Sequence, residues 1–141
     1  LLLISIFIML SVTTSGNSAE FPIGKIEGIG MEVKRGSRII THEDLSIYAH
    51  SGVIESVGQD KIKVTILARM QLKPGMPIKD DERVDTYKIQ WKSDKEGKLI
   101  NTSPKYKYDT STFKIDGDEL EIVSWIERNQ LTETHVYKLV N

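Results

Sequence analysis

The stretch from Lys61 to Gln71 alternates between apolar and polar side chains almost without interruption. Successive side chains of an extended strand point to opposite faces, so this period of two predicts a β-strand with one buried and one solvated face. Strands of this kind are typical of antiparallel sheets, which often face water on one side. The inward set is predicted to be Ile62, Val64, Ile66, Ala68 and Met70.

Similar segments recur at short intervals along the chain and are separated by tight turns. Gly58-Gln59-Asp60 and Asp116-Gly117-Asp118 carry the Gly and Asp residues that favour hairpin turns. An antiparallel up-and-down meander of about eight strands closes most economically as a barrel, which removes exposed sheet edges. We therefore predict an all-β, lipocalin-like barrel, with a β-sandwich as the alternative. The other predicted strands are 26–33, 53–57, 85–92, 98–101, 110–115, 119–127 and 131–140.

One stretch fits two local structures. Thr41 is followed three residues later by Asp44, which is a helix-capping pattern and favours a short helix near residues 42–50. The alternation through Leu45, Ile47 and Ala49 fits a strand equally well. The sequence leaves the two alternatives open.

Composition limits the domain count and the class of partner. Residues 20–141 have the length of one domain, large enough to bury a real core. The chain has no Cys, so its stability must come from packing and hydrogen bonds. The formal net charge of −1 argues against a nucleic-acid partner, because such proteins are usually strongly basic. Charged loops, including the one predicted at 79–83, separate the strands.

The first nineteen residues contain no charged side chain. Leu1 to Val12 is apolar and small polar residues follow, which is typical of a secretory signal peptide cleaved after Ser18 or Ala19. The alternative is a membrane anchor, but a spanning helix needs about 20 apolar residues. We predict a signal peptide at 1–19, a secreted or periplasmic protein, and no membrane span in the mature chain.

The end of the chain resembles a known family. Phe113 to Ile122 and Thr134 to Leu139 are similar to the closing hairpins of small bacterial lipocalin-like (calycin-type) secreted proteins, over roughly the last 30 residues. The Gly-x-Trp signature of the first lipocalin strand is absent, since Gly28-Ile29-Gly30-Met31 occupies the matching region. The resemblance implies a β-barrel that holds a small apolar ligand.

Aromatic and aliphatic side chains on the predicted strands are the candidate binding residues. A barrel lined with such residues either holds an apolar ligand or is filled by its own side chains. Trp125 shares a face with Val123, opposite Leu120 and Ile122, and is either part of the core or an exposed binding residue. The predicted cavity-lining residues are Ile62, Val64, Ile66, Met70, Tyr87, Ile89, Trp91 and Trp125.

No motif points to catalysis or to a cofactor. His42, His50 and His135 do not have the spacing of a zinc site, and no acidic stretch supplies a complete calcium loop. There is no Gly-x-Ser-x-Gly nucleophile elbow. We predict a non-enzymatic protein without cofactor or metal that binds a small apolar ligand. The alternatives are a non-catalytic envelope or interaction domain with a filled core, and a hydrolase with an unrecognised site.

Overall fold

The computed structural model describes residues 20–140, which form nine β-strands. The predicted signal peptide lies outside the described residues. The strands are β1 (Gly24–Arg35), β2 (Arg38–Thr41), β3 (Ile47–Gly58), β4 (Lys61–Gln71), β5 (Lys79–Trp91), β6 (Glu96–Asn101), β7 (Thr110–Asp116), β8 (Glu119–Ile126) and β9 (Leu131–Val140). One-turn 3-10 helices lie between β2 and β3 (His42–Asp44) and between β6 and β7 (Pro104–Tyr106).

Eight of these strands form a closed antiparallel barrel. From β3 to β9 each strand pairs with the next along the chain, and β1 pairs with both β3 and β9. The β1–β9 ladder runs from the pair Lys25–Val140 to the pair Lys34–Thr132 and closes the sheet. The extra strand, β2, forms a hairpin with the last residues of β1. The predicted up-and-down barrel is therefore confirmed, and the sandwich alternative was wrong because one continuous sheet closes on itself.

A β-bulge in β1 changes which of its residues face the interior. The register against β9 shifts between Gly28 and Gly30, so β1 contains an extra residue there. Ile26 is buried before the bulge and Met31 is buried after it. Residues of opposite parity therefore both point inward, which a single alternation along the strand does not predict.

The hydrophobic core fills one end of the barrel. Phe21 lies across this end and makes edge-to-face contacts with Phe113 and Trp91, at ring-centroid distances of 5.0 and 6.3 Å. Phe113 is only 1% exposed. Such aromatic pairs add about 0.5–1.5 kcal/mol to the gain from burial. The other buried members are Ile26, Ile54, Ile62, Val64, Ile89, Leu99, Leu120 and Tyr137.

Strand β5 begins earlier than its sequence predicts. The charged segment 79–83, predicted as a loop, belongs to the strand and pairs with β4, starting at the pair Met70–Lys79. Its inward residues, Lys79, Asp81 and Arg83, line an open cavity and are not packed in the core. Because side chains in this half of the barrel face a cavity and not a packed core, the inward positions of the strand need not be apolar.

The ambiguous stretch after β2 combines parts of both predicted structures. The helix is limited to the single turn His42–Asp44, where Asp44 Oδ2 accepts a hydrogen bond of 2.8 Å from the Thr41 N–H. The strand alternative is correct from Ile47 onwards. No helix between residues 20 and 140 is long and apolar enough to cross a membrane.

Candidate functional site

A cavity of about 430 Å³ occupies the open half of the barrel, above the packed core. This volume lies within the roughly 300–1,000 Å³ that is usual for small-molecule pockets. Part of the wall is apolar and includes Val64, Ile66, Leu99, Ile122 and Tyr137. Charged side chains line other parts of it, namely Lys79, Asp81, Arg83, Asp85, Asp109 and Glu133. The cavity therefore suits a molecule with an apolar body and a polar end.

The structure brings half of the predicted site residues to the cavity wall. Val64, Ile66, Met70 and Tyr87 line it, on the inward faces of β4 and β5. Ile62 and Ile89 lie in the core. These two residues, with Val64 above them, form part of the packed layer beneath the cavity.

The two predicted tryptophans are placed elsewhere. Trp91 packs against the core, with its ring centroid 5.3 Å from that of Phe113. Trp125 does not line the cavity, and the prediction that it does was wrong. Its neighbours Ser124 and Ile126 point inward, so the alternation of β8 turns Trp125 outward. Its indole N–H donates a 2.6 Å hydrogen bond to Glu127 Oε2.

A row of aromatic side chains crosses the interior from β3 to β9. The ring centroids of Tyr48 and His50 are 4.9 Å apart, those of His50 and His135 are 5.1 Å apart, and His135 stacks on Tyr137 at 5.9 Å. β1 lies between β3 and β9, and Gly28 makes this contact possible. A Cβ at Gly28 would lie 2.6 Å from His50 Cβ and 2.8 Å from the Tyr48 hydroxyl oxygen.

This row holds polar atoms that have no partner within the described chain. The Tyr48 hydroxyl and the Nδ1 atoms of His50 and His135 are buried and make no hydrogen bond among residues 20–140. Unsatisfied buried polar groups are costly, and proteins retain few of them. The pKa of His50 is lowered to about 4, mainly by burial and to a smaller extent by the neighbouring His135. Glu133 acts in the opposite direction. His50 is therefore neutral at physiological pH and has a free ring nitrogen.

A carboxylate on β9 completes this side of the cavity. Glu133 Oε2 lies 3.5 Å from His135 Nε2. This hydrogen bond lowers the pKa of Glu133, although its burial acts in the opposite direction. Glu133 is therefore charged at neutral pH. The described residues contain no group of three or more His, Cys, Asp or Glu side chains arranged to hold a metal ion.

A second polar cluster lies on the opposite wall, around Arg83. Arg83 Nε donates a 2.6 Å hydrogen bond to Asp85 Oδ2, and Asn101 Nδ2 donates one of 3.1 Å to Asp85 Oδ1. The Arg83 guanidinium lies 4.9 Å from the ring centroid of Tyr106. Burial alone would lower the pKa of Arg83, but Asp85 and two nearby tyrosines raise it, so a fixed cation faces the cavity. Burial and Asp85 also raise the pKa of Tyr87 to about 12.

Sequence reasoning missed both polar clusters. Once Tyr87 is assigned inward, the period of two places Asp85, Arg83 and Asp81 on the same face, and this signal was available in the sequence. The contact between His50 and His135 is different, because it depends on strand order and on the absence of a side chain at Gly28 of β1. Local alternation does not predict that these two histidines meet.

Comparisons with known proteins support the fold. No protein-family model matches the chain, and no curated protein matches it either. One solved structure with a similar fold is that of the siderocalin Ex-FABP, which is described as functioning through dual ligand specificities. The two structures align with a TM-score of 0.58 and 13% sequence identity, over 84% of this chain and 73% of that one. The predicted lipocalin-like barrel is thus confirmed as a fold.

Proposed function

We propose that this protein binds a small molecule in the barrel cavity, with an apolar body against the apolar wall residues and a polar end at Arg83 and Glu133. The observation that supports this most directly is the division of the cavity. Val64, Ile66 and Ile122 contribute apolar wall from β4 and β8, while Arg83 and Glu133 contribute charged groups from β5 and β9. The sequence-based candidates that belong to this proposed site are Val64, Ile66, Met70 and Tyr87.

The polar end of the ligand is constrained by the groups that face it. Arg83 keeps free N–H donors beyond the one used by Asp85, and Glu133 is a hydrogen-bond acceptor. A ligand with both an acceptor and a donor group at one end satisfies these side chains together. This proposal refines the purely apolar ligand predicted from the sequence.

A non-catalytic role fits this site better than a hydrolase. Ser111 and Ser124 are cavity serines, and their hydroxyl oxygens lie 2.8 Å apart, so each has the other as partner. A Ser nucleophile needs an adjacent base oriented by a third group. The barrel of the solved siderocalin structure also belongs to a ligand-binding protein.

We further propose that residues 1–19 are a signal peptide and that the mature protein is secreted or periplasmic.

A blocked cavity tests the proposed function. Ala68 lines the cavity, whereas the next residue, Leu67, lies on the outer face and is 51% exposed. Ala68→Trp places a large side chain in the cavity, and Leu67→Trp adds the same side chain outside it. The probe is anilinonaphthalene sulfonate, an apolar fluorophore with a charged group, titrated into each protein.

We expect the wild-type protein and Leu67→Trp to enhance probe fluorescence to the same extent, with saturation at one site. Ala68→Trp should lose this enhancement while unfolding cooperatively in urea. The proposed function fails if the wild-type protein gives no enhancement. It also fails if folded Ala68→Trp binds the probe as well as Leu67→Trp does.

A further inference from the structure

Three of the segments around the cavity opening share an unusual composition. We call them together the rim: residues 34–39, 72–79 and 104–108. Val33, which directly precedes the first segment, Lys79 in the second and Tyr106 in the third line the cavity, which places all three at the open end. The rim lies opposite the packed core, and its location does not depend on what the cavity holds.

The rim exposes large apolar side chains to solvent. Their relative exposure ranges from 38% for Leu72 to 68% for Tyr108. Single exposed apolar residues are common on protein surfaces, but a group at one end of a molecule marks an interaction surface. The exposed apolar residues of the rim are Ile39, Leu72, Met76, Ile78 and Tyr108.

The same segments are strongly basic. The rim contains seven Lys or Arg residues and no Asp or Glu, whereas the whole chain has a formal net charge of −1. None of the seven forms an ion pair within residues 20–140. All seven are exposed, and they are Lys34, Arg35, Arg38, Lys73, Lys79, Lys105 and Lys107.

The acids that directly follow two rim segments already have partners. Asp80 Oδ1 lies 3.7 Å from Arg69 Nε, on the outer wall of the barrel. Asp109 Oδ1 accepts a 3.0 Å hydrogen bond from the Glu127 N–H. Glu43, Asp44 and Glu127 lie in the two other connections at this end, so basic residues still outnumber acidic ones around the opening. The turns at the opposite end of the barrel contain both signs of charge, with Asp60, Asp94 and Asp118 beside Lys92 and Lys95.

We propose that the rim docks the protein on an anionic lipid surface, with the cavity opening turned toward the bilayer. Exposed Leu, Ile and Met side chains insert at the boundary between headgroups and acyl chains, and flanking Lys and Arg residues bind the anionic headgroups. Tyr108 is suited to this boundary, because tyrosine concentrates where membrane meets water. Lys107 lies over its ring, 4.9 Å from the centroid, so one short segment presents both groups.

The docking itself is independent of the proposed ligand. If the proposed function also holds, this orientation gives an apolar molecule a path between the bilayer and the cavity without crossing water. Failure of the two proposals is distinguishable, because probe binding in the cavity and vesicle binding at the rim are measured separately and with variants at different residues.

Vesicle co-sedimentation of the protein without residues 1–19 tests the docking. The vesicles contain phosphatidylcholine and phosphatidylglycerol in equal parts, and pure phosphatidylcholine vesicles are the comparison. The charge variant is Lys105→Gln with Lys107→Gln, and its control is Lys61→Gln with Lys63→Gln at the other end of the barrel. We expect binding to the anionic vesicles only, with a loss of about fivefold for each rim cation removed.

A second variant pair separates apolar insertion from charge attraction. Met76→Ser with Ile78→Ser removes apolar groups from the rim, and Leu67→Ser with Val84→Ser removes equally exposed ones from the barrel wall. We expect the rim pair to weaken vesicle binding about tenfold and the wall pair to leave it unchanged.

Three results would overturn the docking proposal. The first is no binding of the wild-type protein to anionic vesicles at low salt. The second is an equal loss of binding in the rim variants and their controls. The third is vesicle binding that is unchanged in Met76→Ser with Ile78→Ser, together with equally tight binding of a single-stranded oligonucleotide. That result would make the rim a general polyanion site.

Discussion

Replacing Gly28 with alanine tests the contact between β3 and β9 that builds one side of the cavity. A Cβ at this position would lie 2.6 Å from His50 Cβ, whereas carbon atoms in good contact are about 3.5–4.0 Å apart. The contacted atom is attached directly to the backbone of β3, so rotation of a side chain does not relieve the overlap. β1 and β3 must therefore separate, or His50 must leave the row.

The expected cost follows from two opposing effects. Overpacking of this kind destabilises proteins by about 1–3 kcal/mol. Replacement of glycine in a strand also stabilises the fold by about 0.5–1 kcal/mol, because it lowers the entropy of the unfolded chain. We predict that Gly28→Ala lowers the free energy of unfolding by about 1–2 kcal/mol. Urea denaturation should show a lower midpoint with an unchanged slope.

Gly30→Ala is the matched control for this measurement. A Cβ at Gly30 would meet its nearest neighbours, Val136 and His42, at 3.7–3.8 Å, which is ordinary contact. The control should be as stable as the wild-type protein or slightly more stable. Equal stability of Gly28→Ala and Gly30→Ala would refute the close contact between Gly28 and His50.

Two further predictions concern the core and the buried histidine. Phe113→Ala should cost about 3–5 kcal/mol in urea denaturation, because its ring is fully buried. Trp125→Ala, on the outer face, should cost clearly less, and equal losses would contradict this placement. Because the pKa of His50 is lowered to about 4 in the fold, its contribution to stability is complete above pH 6.5 and is lost as the pH falls toward 4. Between these pH values the wild-type protein should lose up to about 3 kcal/mol more than His50→Leu, and parallel pH profiles would contradict the buried neutral imidazole.

Alternation of apolar and polar residues predicted the strands that have one face in the core and the other face in solvent. The alternation from Lys61 to Gln71 gave β4 with its correct bounds and inward face. Asp-Gly turn chemistry placed the hairpin between β7 and β8 correctly. These features follow from the apolar core and the tight turns, because core residues alternate with polar ones along a strand and tight turns require particular residues.

The open half of the barrel is harder to predict from the sequence. Lys79 to Arg83 form part of a strand, yet their side chains face a cavity and show no apolar alternation. The contact between His50 and His135 joins residues far apart in the chain, and it passes over Gly28 of the strand between them. Local periodicity does not contain this information, so the polar side of the site emerged only from the three-dimensional arrangement.

Native mass spectrometry of the protein purified without denaturation tests the central claim, that the cavity holds a small molecule. The claim predicts an added mass on the wild-type protein and on Leu67→Trp, released when the chain unfolds in organic solvent. Folded Ala68→Trp should carry no such mass. A wild-type spectrum with the mass of the chain alone, or an adduct that persists on folded Ala68→Trp, would contradict the claim.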